Sequence, residues 1–264
     1  IGDSRIAWSC HTDTVHNASG KQRIVYNKNK GTIHLSQSES IASCLGADDT
    51  GGVWLILEMI RARKDGLYIF HRDEEIGGLG SDWIAKNNPE LLDGIDAIIA
   101  LDRKGTDSII THQAGARSAS NAFADSLAAQ LHGFKADSTG LFTDTANYTA
   151  IVPECTNLSI GYDAAHSKQE SLDYFHLLAL RESLLALDYS KLIIERTPSI
   201  EPDYGDDDYW SRDWRKSYAG NYSGDRMCSN LLDFIETYPD AVADLLEQYG
   251  ITLADLYEAA PWAN

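Results

Sequence analysis

Five short polar motifs, most of them set against apolar runs of strand length, constrain the fold of this chain more than any other feature. They read His11-Thr12-Asp13, Asp48-Asp49-Thr50-Gly51-Gly52, Asp73-Glu74-Glu75-Ile76-Gly77, Leu101-Asp102 and Ala165-His166-Ser167. The runs at 5–10, 67–71 and 95–101 are short, rich in apolar residues and bounded by polar ones, as strands are, and 156–160 also reads as a strand. Between them, 51–63 carries Val53, Leu55, Ile56, Leu57, Met59 and Ile60, too wide an apolar stripe for a surface helix, so it reads as a helix packed on a sheet. A shorter helix is expected over 77–86. Strand, helix, strand, helix, strand is the signature of parallel crossover units. A sheet of that kind gathers the loops that follow its strands along one edge. The expected fold is therefore α/β: three layers, with a mixed, largely parallel sheet flanked by helices.

The remaining elements are more local. Residues 23–26 and 32–35 read as a hairpin joined through Asn27-Lys28-Asn29-Lys30-Gly31. A strand is expected at 109–112, a helix over 118–132 and a long helix over 172–195. After Thr197 the character changes: 201–208 is acidic and contains Pro202 and Gly205, the composition of a linker. Helical periodicity returns at 225–238 and 240–249, with Pro239 between them and Gly250 as a stop, and a last short helix is expected over 253–260. The expected division is one domain over 1–197, then an acidic linker and helical appendage over 198–264.

Composition excludes several classes of function. A chain of 264 residues with 43% hydrophobic content can bury a sizeable core. Forty acidic against 22 basic residues, a net charge of −18, argue against nucleic acid or an anionic membrane as partner, because neutralising phosphates takes clustered Lys and Arg. No apolar run is long enough to cross a bilayer as a helix. Cys10, Cys44, Cys155 and Cys228 lack the close paired spacing of a structural zinc site and read as mostly buried free thiols in a reducing compartment. With no signal-peptide pattern either, a cytoplasmic location is expected. Oligomer formation stays open.

Each motif has a plain structural alternative. His11 could sit in a surface turn, Asp48 or Asp49 could cap the helix that follows, Asp73-Glu74-Glu75 could be a solvated acidic turn, and His166 could cap a helix. The conjunction is harder to explain that way. Two imidazoles, His11 and His166, and three carboxylates, Asp48, Glu75 and Asp102, suit two divalent ions such as zinc, which take N and O ligands. Buried acids at that density are costly unless cations compensate them.

These motifs resemble those of the zinc-dependent exopeptidase superfamily with co-catalytic metals, which includes leucyl-type and deblocking aminopeptidases and related carboxypeptidases and deacylases. The likeness runs from about Arg5 to Asp173. It implies a phosphorylase/hydrolase-like core in which His11 and Asp102 bind one metal, Glu75 and His166 the other, and Asp48 bridges both across a cis Asp48–Asp49 peptide. It makes Glu74 the general base and gives Asp13 a supporting catalytic role, orienting the imidazole or the metal. The stretch Phe142-Thr143-Asp144-Thr145-Ala146-Asn147, then Val152-Pro153 and Tyr162 through Glu170, is similar to the last loop-strand-loop of the deblocking aminopeptidases. Glu170, four residues after His166, fits their pattern. Family members carry several elements before the His-x-Asp motif, whereas ten residues precede His11 here. The chain has no room between Asp102 and His166 for a ferredoxin-like lid, nor between His11 and Asp48 for a barrel-like insert. Where some relatives have an oxyanion-supporting Tyr before the final His, this chain has Ala165, so that task would fall to Tyr162 or the second metal.

The implied activity is hydrolysis of the terminal peptide bond of peptides by a metal-bound hydroxide, with a Glu general base. Which terminus is read stays open. An aminopeptidase needs acidic or metal contacts to a free amine, for which Asp144 is the candidate, and the likeness of the final motif favours this reading. A carboxypeptidase or N-acyl-amino-acid deacylase needs a cation for a carboxylate, and Arg103, Lys104 and Arg117 are candidates, each as readily paired with local acids. A non-catalytic metal- or peptide-binding module is the third reading, against which Glu74 argues. The other histidines, His16, His34, His71, His112, His132 and His176, read as structural or exposed.

Overall fold

A computed structural model describes residues 1–16, 22–36 and 42–199 of the chain. The expected linker and helices between 201 and 260, and Cys228, lie outside the described residues. In chain order the strands and helices are β1 (Ile6–His11), β2 (Ile24–Asn27), β3 (Thr32–Leu35), α1 (Ala47–Arg61), β4 (Leu67–His71), α2 (Leu79–Asn87), β5 (Ala97–Arg103), β6 (Ser108–Ile110), β7 (His112–Gln113), β8 (Ala116–Arg117), α3 (Asn121–Ala128), β9 (Lys135–Asp137), β10 (Glu154–Ser159), β11 (Tyr162–Asp163), β12 (Ser171–Asp173) and α4 (Tyr174–Ala186). Single 3-10 turns occur at Pro89–Leu92, Asp144–Tyr148 and Tyr189–Lys191.

The main sheet runs in the order β4-β1-β5-β10-β6-β9. β4, β1, β5 and β10 are mutually parallel, β6 is antiparallel to β10, and β9 is parallel to β6. The sheet is thus mixed and largely parallel, as expected. Successive side chains of a strand point to opposite faces, and the core follows that rule. Ile6, Trp8 and Cys10 of β1 and Ile99 and Leu101 of β5 join one cluster with Leu55, Ile56 and Met59 of α1, Phe123 and Leu127 of α3, and Leu177, Leu180 and Leu184 of α4. Ala7, Ile98 and Cys155 face the other way, against Leu92, Tyr148 and Val152. Both faces are covered, which is why these strands read as continuous apolar runs rather than alternating ones.

A second, antiparallel sheet in the order β11-β12-β3-β2 contains the expected hairpin. Its other half, β11 and β12, lies some 130 residues further along the chain and brackets the loop that carries His166.

Three elements end elsewhere than expected. The helix expected over 172–195 stops at Ala186 because Leu187 turns extended (φ −56°, ψ 127°) and the Asp188 side chain accepts the Ser190 N–H to start a separate turn. The strand expected at 109–112 ends at Ile110, and His112–Gln113 instead pairs with Ala116–Arg117 across a turn of Ala114 (φ 50°) and Gly115 (φ 77°). The helix expected from Ser118 starts at Asn121, because the Ser120 hydroxyl caps it by accepting the Phe123 N–H at 3.0 Å. Cys10, Cys44 and Cys155 are buried free thiols. Among the described residues no helix is long and apolar enough to cross a membrane.

Candidate metal centre

The motifs converge because four of them follow directly from the fold. β1 ends on His11 and β5 carries Asp102 near its end, two neighbouring strands of the parallel sheet. β4, on the other side of β1, ends at His71, and the chain then turns through Asp73 (φ 60°) into Glu74 and Glu75. α1 packs behind β1 and β5 and presents Asp48 at its first turn. The fifth residue, His166 (φ 64°), comes from the loop between β11 and β12. Left-handed backbone at Asp73, Ala164 and His166 puts three non-glycine residues of unfavourable φ beside one site.

The distances sort these residues around Asp48. Its Oδ1 lies 3.0 Å from His11 Nε2, and its Oδ2 lies 3.3 Å from His166 Nε2. His11 Nε2 is also 3.5 Å from Asp102 Oδ1. His166 Nε2 is 3.0 Å from Glu75 Oε1 and 2.9 Å from Glu75 Oε2. Asp48 therefore stands between a His11–Asp102 pair and a Glu75–His166 pair. Ligand atoms of His11, Asp48 and Glu75 come within 4.8 Å of one another, as do those of His11, Asp49 and Asp102. This N and O donor set fits divalent ions, zinc among them.

Electrostatics gives the same answer. Burial first, and then the Asp102 charge, pushes the Asp49 carboxyl well above its ordinary range. Burial and the Asp48 charge raise Asp102 to about 7, although His11 opposes them. Burial and Asp102 raise Glu74 to about 9. Burial would raise Asp48 too, but the hydrogen bonds of His11 and His166 outweigh it and hold Asp48 below the usual carboxylate range. His166 is raised to about 10 by its bonds to Asp48 and Glu75, and His11 is raised by Asp102 and Asp48 against the effect of its own burial. Acids raised by burial and by one another, beside histidines raised by those acids, mark a cluster short of positive charge, which metal cations would supply.

The surroundings hold these side chains in place. Asp102 Oδ2 accepts the Thr143 hydroxyl at 2.7 Å, its backbone N–H donates to Asn157 Oδ1 at 3.0 Å, and its carbonyl accepts the Tyr162 hydroxyl at 2.9 Å. The Asp13 carboxylate accepts the N–H groups of Glu74 at 3.3 Å and Glu75 at 3.2 Å, while its backbone carbonyl faces His11 Nδ1 at 3.0 Å. Asp13 thereby holds the Glu74–Glu75 turn as well as the imidazole. The Asp48–Asp49 peptide is cis. Asp49 Oδ2 accepts the His11 N–H at 3.1 Å and Oδ1 the Gly52 N–H at 3.0 Å, so Asp49 also caps the helix behind it. Gly52 must be glycine: a Cβ there would fall 2.1 Å from the Leu101 carbonyl and 2.4 Å from Asp49 Oδ1.

The residues expected to meet substrate are more dispersed. Asp144 is buried, with Oδ2 3.2 Å from His71 Nδ1, and His71 Nε2 lies 2.8 Å from the Tyr148 hydroxyl. His71 thus belongs to a buried polar cluster beside the centre. The Tyr162 hydroxyl is engaged by the Asp102 carbonyl. Arg103 extends to Thr139, 3.1 Å from its Oγ1, and to Asp137 at 3.9 Å. Arg117 bonds the Ala119 carbonyl and Asn121. Sequence reasoning gave Asn157 and Thr143 no role at the site, and gave Asp49 only a possible helix cap and a share in the cis peptide. Asp49 and Thr143 lie inside the sequence motifs, next to Asp48 and Asp144, whereas Asn157 stands among other polar residues of its strand and gives no local signal.

No family model and no curated protein matches the sequence. Several solved structures match this one, among them two peptidases. Aminopeptidase PepT from Bacillus cereus aligns with a TM-score of 0.51 at 16% identity over 69% of this chain and 79% of its own. A tripeptidase from Staphylococcus aureus aligns with a TM-score of 0.51 at 13% identity over 68% of this chain and 79% of its own. The chain shares the fold of these peptidases, and that is the fold which the resemblance of its motifs implied.

Proposed function

We propose that the chain is a dinuclear zinc exopeptidase that removes amino-terminal residues from peptides. The observation that carries this reading is the placement of Asp48, whose two carboxylate oxygens face different imidazoles, His11 at 3.0 Å and His166 at 3.3 Å. A carboxylate so placed suits a bridge between two ions. His11 and Asp102 would complete the shell of one, Glu75 and His166 that of the other. When bound, such ions polarise the scissile carbonyl and bring the pKa of a bound water from about 15.7 toward about 7.

The chain's own groups do the rest. Glu74 stands next to a ligand in sequence but has no ion pair with His11 or His166 among the described residues. Burial and the Asp102 charge raise Glu74. With that charge offset by bound cations, its carboxylate would then be free to take a proton from the attacking water and return it to the leaving amine. Asp13, gripping the N–H groups of both Glu74 and Glu75, keeps the base and the ligand in fixed relation. Two features favour the amine over the carboxylate as the group read. Asp144 Oδ1 is a buried acceptor with no hydrogen-bond partner among the described residues, which suits an amine. Arg103 is engaged through Nη2 by Thr139 and Asp137, and among the same residues keeps a buried Nε without a hydrogen-bond partner. The fold shared with an aminopeptidase and a tripeptidase supports the same choice.

The test is hydrolysis of matched free-amine, N-acylated and C-amidated peptides with zinc, cobalt or manganese added. Acylating the amine should abolish turnover and amidating the carboxylate should not. Groups left unpaired by acylation cost about 1–3 kcal/mol each. Faster cleavage of acylated peptides, with loss of that activity in Arg103→Ala, would establish the carboxylate-reading alternative instead.

A further inference from the structure

Glu170 lies four residues beyond His166, and its side chain reaches the turn that carries Asp48. Its side chain is fully buried. Oε2 accepts the Gly46 N–H at 2.8 Å and Oε1 accepts the Asp48 N–H at 3.0 Å, across sequence separations of 124 and 122 residues. Gly46 has φ 76° and sits at the sharp entry to α1, and the turn it opens carries Asp48. The carboxylate therefore clamps the backbone of that turn at two points, in a dry place where bonds from a charged acceptor are stronger than neutral ones.

The loop that holds Glu170 also holds His166, whose ring reaches the Asp48 side chain. Asp48 is thus fixed twice by one segment: through its carboxylate by His166 and through its peptide N–H by Glu170. We propose that Glu170 is a positioning residue which sets the direction of the Asp48 carboxylate between the two metal positions, and so couples the His166 loop to the metal affinity of the centre. This rests on the dinuclear reading of the site. A purely structural clamp would stabilise the chain equally with and without metal. A positioning clamp has a larger effect on the metal-bound form, because a bridging carboxylate must meet two ions at once and tolerates little rotation.

Three proteins separate these cases: the wild type, Glu170→Gln, and Leu127→Ala, which opens a cavity in α3 away from the site. Gln keeps the shape of the side chain but removes its charge and one of its two acceptors. Zinc affinity is read by competition with a chromogenic chelator, and melting is followed with and without zinc. The expected result for Glu170→Gln is a roughly 10–100-fold loss of zinc affinity, the range for groups that orient ligands. Leu127→Ala should melt earlier and bind zinc as the wild type does. A loss of affinity in Glu170→Gln no greater than in Leu127→Ala overturns the positioning role and leaves the metal centre standing. A wild type that takes up no zinc overturns the metal-centre reading itself, and the positioning role with it.

Discussion

The two edges of the central sheet each bury acidic residues, and they compensate them in opposite ways. At the edge where β10 begins, Glu154 is completely buried. It accepts the Ser120 N–H at 2.6 Å, the Ser120 hydroxyl at 2.9 Å, and the N–H groups of Glu195 at 2.8 Å and Arg196 at 2.9 Å. Three backbone N–H groups and one hydroxyl, all fixed by the fold, satisfy both oxygens of the carboxylate. At the opposite edge Asp48, Glu75 and Asp102 gather with Asp49 and Glu74 nearby, and the ion pairs of the first three among the described residues are to two histidines. Burial first, and then the neighbouring carboxylates, raise Asp49, Asp102 and Glu74, as expected where positive charge is short. A buried acid with its own donors holds the fold together, whereas a cluster of acids without enough donors is a place for cations.

The sharpest way to break this comparison is to change each edge by a single oxygen. Glu74→Gln should keep its metals and its fold and lose about 10²–10⁴-fold in turnover, the range for a general base. Glu75→Gln should lose metal instead. Metal analysis beside activity distinguishes them, and two variants that behave alike would mean that base and ligand are wrongly assigned.

Metal affinity should be steeply pH-dependent at the β1–β5 edge. His166, raised to about 10, and His11, also raised, hold protons through the neutral range in the metal-free chain, and a bound ion must displace them. Affinity should therefore rise with pH, by up to about tenfold per unit for each proton released, and fall as acid restores the protons. Titration of zinc binding from about pH 6 to about pH 8 checks the sign. A flat profile would show that the histidines are not ligands.

The smallest effect is expected at the other edge. Glu154→Gln leaves one buried donor facing another and should cost about 1–3 kcal/mol in stability, read as a lower urea midpoint. Metal content and activity should be unchanged once the protein is folded. A loss of metal in this variant would show that the two edges are not independent.

Much of the fold was legible because its signals are local. The strand at Leu67–His71, the hairpin pairing Ile24–Asn27 with Thr32–Leu35, and the helix behind the Asp48 motif all follow from the spacing of apolar residues and from turn residues at the right positions. That His11, Glu75 and Asp102 would meet was legible for a related reason: a parallel sheet places whatever follows its strands on one edge, whereas Asp48 and His166 were picked out by the resemblance of their motifs. Boundaries set by single side chains were harder. Asp188 ends the reading of one long helix over 172–195, and Ala114 and Gly115 break the strand expected at 109–112. Neither is visible as periodicity.

What only the tertiary structure decided is which polar groups meet. Ser171–Asp173 completes a sheet with Thr32–Leu35, the Asp13 carboxylate takes the N–H groups of Glu74 and Glu75, Thr143 and Asn157 steady Asp102, and Glu170 grips the turn that carries Asp48. Each of these joins residues with no fixed relation along the chain. Hydrophobic periodicity is a property of neighbours in sequence, so one strand of text carries it. A hydrogen bond between loops depends on where two separate segments come to rest, and that is set by how the whole core packs beneath them.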